Sequence, residues 1–295
     1  MLLKSGRMLF VSLSILTIVL PRFSAAKNWN STSGNWSESA KWTPSGVPGN
    51  GDAVNIVFTN GVARTVTYDY SGGLAVTIDS LSVDLTGAGG NATTLSIPGN
   101  TLHANQERIG IDGIGTINQT GGTNLIETNG LALGFNNAGI GNYSLDVGTL
   151  SVAGDENIGF SGQGVFTQTS GSNTSANLYL GTNTTGMGTY TLSGGTLQPN
   201  NEVVGALGTG NITQAGGTFI QNGGTNNTGF LSIGGNIGAT GSYTLNAGSL
   251  IAGTLNVGSQ GGTGSFTQAG GSQTSAELNV GSDLGSNGTY ALSGG

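Results

Sequence analysis

Short segments in which apolar and small polar residues alternate, separated by glycine, run through most of the chain, and one five-residue phrase keeps returning. The phrase reads Gly, a small polar residue, an aromatic residue or Ile, a small polar residue, and then Gln or Leu. Its eight copies begin at Gly115, Gly141, Gly164, Gly188, Gly210, Gly241, Gly264 and Gly288, at intervals of 22 to 31 residues. Self-similarity at such a period predicts a solenoid, in which each repeat is one structural unit.

A second phrase, an apolar residue followed by Gly, keeps step with the first and ends at Gly110, Gly134, Gly159, Gly181, Gly205, Gly234, Gly258 and Gly281. Within one repeat, short strands are predicted at 189–192, 196–198 and 202–204, with Gly, Asn or Pro at the corners. Three strands and three corners make one coil. The sequence therefore predicts an all-β fold, a parallel β-helix (β-solenoid) with about 24 residues and three short strands per coil.

The period also predicts which side chains meet, because equivalent positions stack from coil to coil and side chains alternate in and out along a strand. The third position of the phrase should form one inward file of Ile117, Tyr143, Phe166, Tyr190, Ile212, Tyr243, Phe266 and Tyr290. At the fifth position Gln119, Gln168, Gln214 and Gln268 alternate with Leu145, Leu192, Leu245 and Leu292. The sequence repeat is therefore a pair of coils, one of Gln type and one of Leu type.

The first 26 residues differ from the rest of the chain. Lys4 and Arg7 precede an apolar run over 8–20, and small residues end the segment at Ala26. This layout predicts an export signal cleaved after Ala26. The alternative is a membrane anchor that stays attached, but the apolar run is short for a membrane span.

Beyond the signal we distinguish three regions. All three tryptophans, Trp29, Trp36 and Trp42, fall in 27–51, which we interpret as an N-terminal cap, since an open solenoid end exposes core and unpaired strand edge. Irregular first coils should follow at 52–102, and regular repeats at 103–295. The alternative for the tryptophans is an exposed aromatic platform for sugar rings.

Charge and cysteine content exclude some partners. Residues 27–295 hold four Lys or Arg against all 14 acids, and 4 − 14 gives a net charge of −10. Such a surface cannot neutralise phosphates, which argues against nucleic acid and anionic membranes. Without Cys, an exported protein has no disulfides and depends on stacked backbone hydrogen bonds and packing.

The N-terminal motifs and the coil phrases resemble one known group of proteins. Asn28-Trp29, Gly34-Asn35-Trp36, Trp42, Val47-Pro48 and Gly51-Asp52, followed by Gln-Thr-Gly-Gly and Leu-Ser-Gly-Gly phrases, look like the large exported proteins of planctomycetes and related bacteria with autotransporter-associated β-strand repeats and PEP-CTERM sorting tails. The resemblance implies a right-handed β-solenoid passenger at the cell surface or in the extracellular matrix. The chain shows no sorting tail and stops inside a repeat, so we predict that it is a piece of a longer polypeptide.

Candidate chemistry is sparse. His103 is the only histidine, and without Cys or a second His it is expected at the surface or a corner, not in a zinc site or a triad. Glu107, Glu156 and Glu202 lie at equivalent positions of alternate coils, roughly 9 to 10 Å apart. They are expected to be solvated strand starts. The alternative is a carboxylate site of a polysaccharide-active β-helix enzyme, at the far limit of the separation used by inverting glycosidases.

The outward positions beside the inward file suggest another alternative. They carry small polar pairs such as Thr189 with Thr191 and Ser242 with Thr244, which resemble the threonine arrays of β-helical ice-binding proteins. Val165, Asn118, Asn142, Asn211 and Ala291 interrupt the array.

The sequence favours an exported, non-enzymatic structural or adhesive rod, secreted or displayed at the cell surface. We expect no catalytic, cofactor-binding or metal-ligating residues and no cofactor. The expected partners are extracellular polysaccharide or matrix and cell-surface components, not nucleic acid, with no membrane span after signal cleavage. A polysaccharide lyase or glycosidase is the main alternative, and ice binding is the weaker one.

Overall fold

A computed structural model describes residues 26–72, 76–205 and 216–294. Within these residues the chain forms a parallel β-solenoid of about 11 turns with about 24 residues per turn, and no α-helix. The predicted all-β solenoid is confirmed. The predicted export signal lies outside the described residues, apart from Ala26.

The first thirteen strands are Ala26–Trp29 (β1), Gly34–Asn35 (β2), Trp42–Thr43 (β3), Ala53–Phe58 (β4), Arg64–Thr67 (β5), Ser80–Leu85 (β6), Thr93–Ile97 (β7), Thr101–Ile109 (β8), Ile114–Gln119 (β9), Thr123–Leu133 (β10), Ile140–Leu145 (β11), Thr149–Ile158 (β12) and Gln163–Gln168 (β13). The remaining eight are Ser172–Leu180 (β14), Met187–Leu192 (β15), Thr196–Val204 (β16), Gly216–Ile233 (β17), Thr240–Val257 (β18), Thr263–Gln268 (β19), Ser272–Val280 (β20) and Asn287–Leu292 (β21). One 3-10 turn, Ser39–Lys41, lies between β2 and β3.

Most regular coils have one short straight strand and one long bent strand, whereas β17 and β18 each run through their coil as one strand of 18 residues. In the coil of β15 and β16, the predicted second and third strands form one continuous strand, β16, and not two. The long strands β10 and β12 shift register against each other between Ile126 and Leu131, which marks the bend. The coil therefore has three segments, as expected, but the corner between the second and third segments does not interrupt the strand.

Two sets of glycines explain the two sequence phrases. Gly159, at the end of the apolar-Gly phrase, has φ of +75°, a region that side chains rarely adopt. A Cβ at this residue would also lie 2.3 Å from the backbone oxygen of Met187. Gly188 begins the five-residue phrase of the next coil, where a Cβ would lie 2.1 Å from the backbone oxygen of Ile158. Neighbouring backbones approach too closely at these positions for any larger residue.

The inward file is confirmed over most of its length. Aromatic rings from Tyr143 to Tyr290 stack in parallel, with centroids of successive rings 4.5 to 5.3 Å apart. Ile117 is fully buried below them, and Tyr290 at the last coil is half-buried. Stacked aromatic contacts contribute about 0.5 to 1.5 kcal/mol each beyond area burial.

One register prediction is wrong. We assigned the fifth copy of the phrase to Gly210, with Ile212 and Gln214 in the inward files, but these residues lie outside the described ones. Their predicted places belong to Phe219, which pairs with Tyr190, and Gln221, which pairs with Leu192. Both Phe219 and Gln221 are fully buried.

The tryptophans lie inside the first coils. Trp29, Trp36 and Trp42 are 1 to 2 % exposed and make edge-to-face contacts at 4.9 Å, and Trp36 also contacts Tyr68 at 5.1 Å. Strand β1 lies between β4, which is parallel to it, and the short antiparallel β3. The indole faces are covered by protein, so they cannot serve as an exposed platform for sugar rings.

The corrected register can be tested by stability. Phe219→Ala removes a buried ring from the stacked file, and we expect the free energy of unfolding to fall by about 3 to 5 kcal/mol. Thr218→Ala, on the outward side of the same strand, should change it by less than about 0.5 kcal/mol. Urea-induced unfolding followed by circular dichroism measures both. Equal effects of the two substitutions would contradict the register.

Candidate functional site

The three carboxylates predicted at the surface lie in the core instead. Glu107, Glu156 and Glu202 are fully buried, so the prediction of solvated strand starts is wrong. The position of each Glu along its strand explains its burial. Glu202 is two residues before the buried Val204 on β16, and residues two apart on a strand point to the same side. They occupy one inward file whose other buried members are Val54, Leu81, Leu131, Leu178, Leu231 and Leu255.

Each buried carboxylate belongs to a network of four side chains from three successive coils. Around Glu156, the Asn173 side-chain nitrogen Nδ2 lies 3.0 and 3.1 Å from the two carboxyl oxygens. Nδ2 also donates to the Tyr190 hydroxyl at 3.2 Å, and this hydroxyl donates to Oε1 of Gln168 at 2.5 Å. The Gln168 amide Nε2 then donates to the backbone oxygens of Gly171 and Thr196. The network links the carboxyl group to the backbone of the coil wall.

The same network recurs at two-coil intervals. Three networks consist of Glu, Asn, Gln and Tyr: Glu107, Asn124, Gln119 and Tyr143; Glu156, Asn173, Gln168 and Tyr190; Glu202, Asn226, Gln221 and Tyr243. A fourth set has Leu255 in place of Glu and Gln273 in place of Asn. The predicted alternation of Gln-type and Leu-type coils is thus the sequence mark of a buried polar layer in every second coil.

Sequence reasoning missed the asparagines of these networks. Asn124, Asn173 and Asn226 alternate with Leu102, Leu150, Leu197 and Leu250 along one buried file, in the same way that Gln alternates with Leu. The signal was therefore present as a second polar-apolar alternation with a two-coil period. It is masked by the many other asparagines that lie at the surface and in corners.

Burial controls the ionisation of the carboxyl groups. Desolvation raises the pKa of Glu107 and Glu156 to about 7 and that of Glu202 to about 8, against the lowering effect of the hydrogen bonds from Asn. The same cause raises the pKa of the partner tyrosines well above the ordinary value. No cation faces the carboxyl groups: in the described part of the chain, Lys41–Glu38 is an ion pair and His103 contacts Glu127, and neither involves Glu107, Glu156 or Glu202.

The hydrogen-bond pattern fits neutral carboxyl groups. In the networks of Glu107 and Glu202, one carboxyl oxygen accepts from Asn Nδ2, while the other oxygen has no donor. The Oδ1 atoms of Asn124 and Asn226 are also buried without a donor. A neutral carboxyl group leaves no buried charge without a counter-ion and adds an O–H donor to a site that is short of donors.

These networks cannot reach a substrate. The twelve residues of the three networks are buried, and none of them lines the depressions beside Ala132, Ala153 and Thr218. Their burial removes Glu107, Glu156 and Glu202 as candidates for a polysaccharide-cleaving carboxylate site. Nor does the described part of the chain bring together three or more His, Asp or Glu side chains that could hold a metal ion.

His103 is also buried, contrary to the expected surface or corner position. It is 7 % exposed on β8, and its Nδ1 lies 3.0 Å from Oγ1 of Thr77. Its Nε2 lies 2.8 Å from a carboxylate oxygen of Glu127 in the next coil. The Glu127 side chain is about half exposed, so the pair sits at the margin of the core and contributes to packing of the first regular coils.

The outward positions of the short strands form a straight column, as the period predicts. Thr189, Thr218, Ser242 and Ser265 are aligned by backbone pairing, and the corrected register places Thr218 where Asn211 was expected. Asn142 and Val165 still interrupt the column. The arrangement is regular in spacing but mixed in chemistry.

Comparisons with known proteins find no matching family model, no similar curated protein and no similar solved structure. The resemblance to autotransporter-associated repeat proteins stays a prediction from the motifs. In the described ranges, the structure contains no helix with the length and apolar character needed to cross a membrane.

The networks predict an unusual pH dependence of stability. Because the folded-state pKa values lie above the ordinary Glu value of 4.5, the unfolded chain loses protons at a pH where the folded chain still keeps them. The contribution is fully present below about pH 4.5 and is lost as pH rises through about 7 to 8. We therefore expect the urea midpoint to fall between pH 5.5 and 8.5.

The triple variant Glu107→Gln, Glu156→Gln, Glu202→Gln keeps the shape of the neutral acids but cannot ionise. Its urea midpoint should change much less over the same pH range than that of the unsubstituted protein. Glu277→Gln, at an exposed position, is the control and should leave the profile unchanged. A triple variant with the original pH profile would show that the buried carboxyl groups do not titrate as described.

The tyrosine hydroxyls can be tested separately. Tyr190→Phe leaves Gln168 Oε1 without its donor inside the core, and we expect a loss of about 1 to 3 kcal/mol in the free energy of unfolding. Tyr179→Phe removes a hydroxyl from a half-buried outward position of the preceding coil, and should change stability by less than about 0.5 kcal/mol. Similar values for both variants, measured by urea unfolding at pH 6, would argue against a structural role for the network.

Proposed function

We propose that the protein is an exported, non-enzymatic β-solenoid rod that serves a structural or adhesive role at the cell surface or in the extracellular matrix. The observation that carries this proposal is the unbroken register of the inward file, in which each described coil from Ile117 to Tyr290 places its side chain on the equivalent one of the coil before. About 11 turns at about 4.8 Å each give a stack roughly 50 Å long.

The distribution of chemistry along the stack supports a scaffold. The side chains with perturbed pKa values that are fully buried serve the core, and the outward side chains of the coils are mainly small and polar. A rod of this kind can position or space other components without a reactive centre. The predicted signal at 1–26 supports export. The chain has no Cys, so its fold does not depend on disulfide formation.

Localisation tests the proposal in the producing cell. We expect the chain to be recovered outside the membrane, accessible to protease added to intact cells, and to begin at Lys27 after signal cleavage. Leu16→Arg, which interrupts the apolar run of the signal, should retain the chain inside the cell. Recovery of the unsubstituted chain only from the cytoplasm would overturn export.

Incubation with polysaccharides tests the proposal that the protein is not an enzyme. Purified protein incubated with neutral, uronate-containing and sulfated polysaccharides should release no soluble product. Release of oligosaccharides that scales with protein concentration would overturn the scaffold role and return the protein to the class of polysaccharide-active β-helix enzymes.

A further inference from the structure

A groove follows the bend of the long strands on the outside of the solenoid. Two depressions, of about 520 and 690 Å³, lie along this bend, and the consecutive residues Gly154 and Ala153 line one each. Together they are lined by residues from six successive coils, from Gln106 to Gly229. Five intervals between coils correspond to about 24 Å along the rod axis.

Small residues create the groove. In the smaller depression, Gly130 pairs with Gln106 on one side and Ala132 pairs with Arg108. On the other side Ala132 pairs with Asn157. Ala132 therefore lies between two longer polar side chains, Arg108 and Asn157, which form the walls, and Thr128 and Asn129 of the middle coil line the same depression.

Arg108, on one wall, packs against an aromatic ring, but its guanidinium N–H groups lack hydrogen-bond acceptors in the part of the chain that the structure describes. Its guanidinium carbon lies 4.4 Å from the centroid of the Phe135 ring, which stacks in parallel on Phe160 at 5.2 Å. A cation–π contact holds a guanidinium against a ring face without using up the acceptor partners of its N–H groups. Within the described residues Arg108 makes no ion pair, and its Nε is buried without a hydrogen-bond acceptor. The donors that remain free lie beside the depression that this residue lines.

The opposite wall supplies acceptors. The exposed Asp155 carboxylate accepts one hydrogen bond, from Asn177 at 2.7 Å, which leaves acceptor capacity for a ligand. The amide groups of Gln106 and Asn157 lie on either side of the floor and offer both donors and acceptors, with Oδ1 of Asn157 already accepting from Thr182 at 2.9 Å. The groove therefore presents donors and acceptors side by side over a narrow apolar floor.

This combination selects the ligand class. A hydroxyl group both donates and accepts, so a chain of hydroxyl-bearing rings matches a groove with Arg, Asp and amide groups. Phe135 and Phe160 line the same depression and can contact the C–H face of such a ring. Asp155 in the groove and the net charge of −7 oppose a polyanion, and the few cations exclude nucleic acid.

We propose that this groove binds a neutral polysaccharide chain lying along the rod, with Arg108 donating to hydroxyl groups at one wall and Asp155 accepting from hydroxyl groups at the other. The proposal names the ligand class for the adhesive role proposed above and takes that role as its starting point. Binding itself does not require export, so the two can fail separately.

The test measures binding of purified protein to defined glycans. Affinity electrophoresis through gels that contain dextran, galactomannan or a soluble β-glucan should retard the protein in at least one gel. Alginate and a sulfated glycan are the anionic arms and should retard it less. No retardation by any neutral glycan, or stronger retardation by the anionic ones, would overturn the proposal.

Matched variants locate the site. Arg108→Gln removes the unsatisfied donors, and Ala132→Leu fills the floor of the groove. Arg108→Gln should weaken binding about tenfold or more, since a hydrogen bond to a charged group contributes about this much. Ala132→Leu should weaken binding to a similar extent because its side chain occupies the space of the ligand. Arg64→Gln changes the net charge equally but concerns an arginine that already donates to Ser31, Asn60 and Val62, and it should leave affinity within about twofold.

Near-ultraviolet circular dichroism confirms that each variant is folded before its affinity is compared. Neutral-glycan binding that is unaffected by both Arg108→Gln and Ala132→Leu would show that the groove is not the site. An exported chain that binds no neutral glycan would overturn only the groove proposal, whereas a cytoplasmic chain that binds through Arg108 would overturn only the proposed location and role.

Discussion

Backbone pairing between equivalent positions of successive coils is the constraint on which this structure depends. Once Gly164 pairs with Gly188 in parallel, every following residue of the strand lies on its counterpart about 4.8 Å away. A side chain in this fold has the same type of neighbour above and below it. Aromatic rings gain from that arrangement because they can stack in parallel, as Phe166 and Tyr190 do at 4.6 Å.

The same constraint is costly for polar core groups. Three glutamates in one unbroken file would place carboxyl groups at strand spacing in a core without cations. The sequence separates them with leucines such as Leu131 and Leu178, so each carboxyl group is surrounded by amides and a phenol instead of other carboxyls. The two-coil period of the sequence is therefore the spacing at which buried polar groups can each be supplied with partners.

The sequence predicts the coil well because its determinants are local. Glycines such as Gly159 are required wherever the backbone turns with positive φ, and their interval reports the length of a turn directly. The register of the coil that contains Phe219 is harder to predict. Gly210-Asn-Ile-Thr-Gln214 fits the phrase better than Gly217-Thr-Phe-Ile-Gln221, and only pairing with the neighbouring coils distinguishes the two. The burial of Glu202 runs against the usual preference of a charged side chain for solvent, and its position two residues before Val204 decides it. The groove depends on the bend and on Gly130 and Ala132, and a bend within a continuous strand leaves no mark in the phrase.

Leu255 has a wider meaning for how such a chain can grow. Arrays of this kind lengthen by duplication of their units, and the unit here is a pair of coils. A duplicated pair with Glu in this file adds one more proton-binding group to the interior, whereas a pair with Leu, as at Leu255, adds length alone. The number of proton-binding groups in the interior and the length of the stack can therefore vary separately.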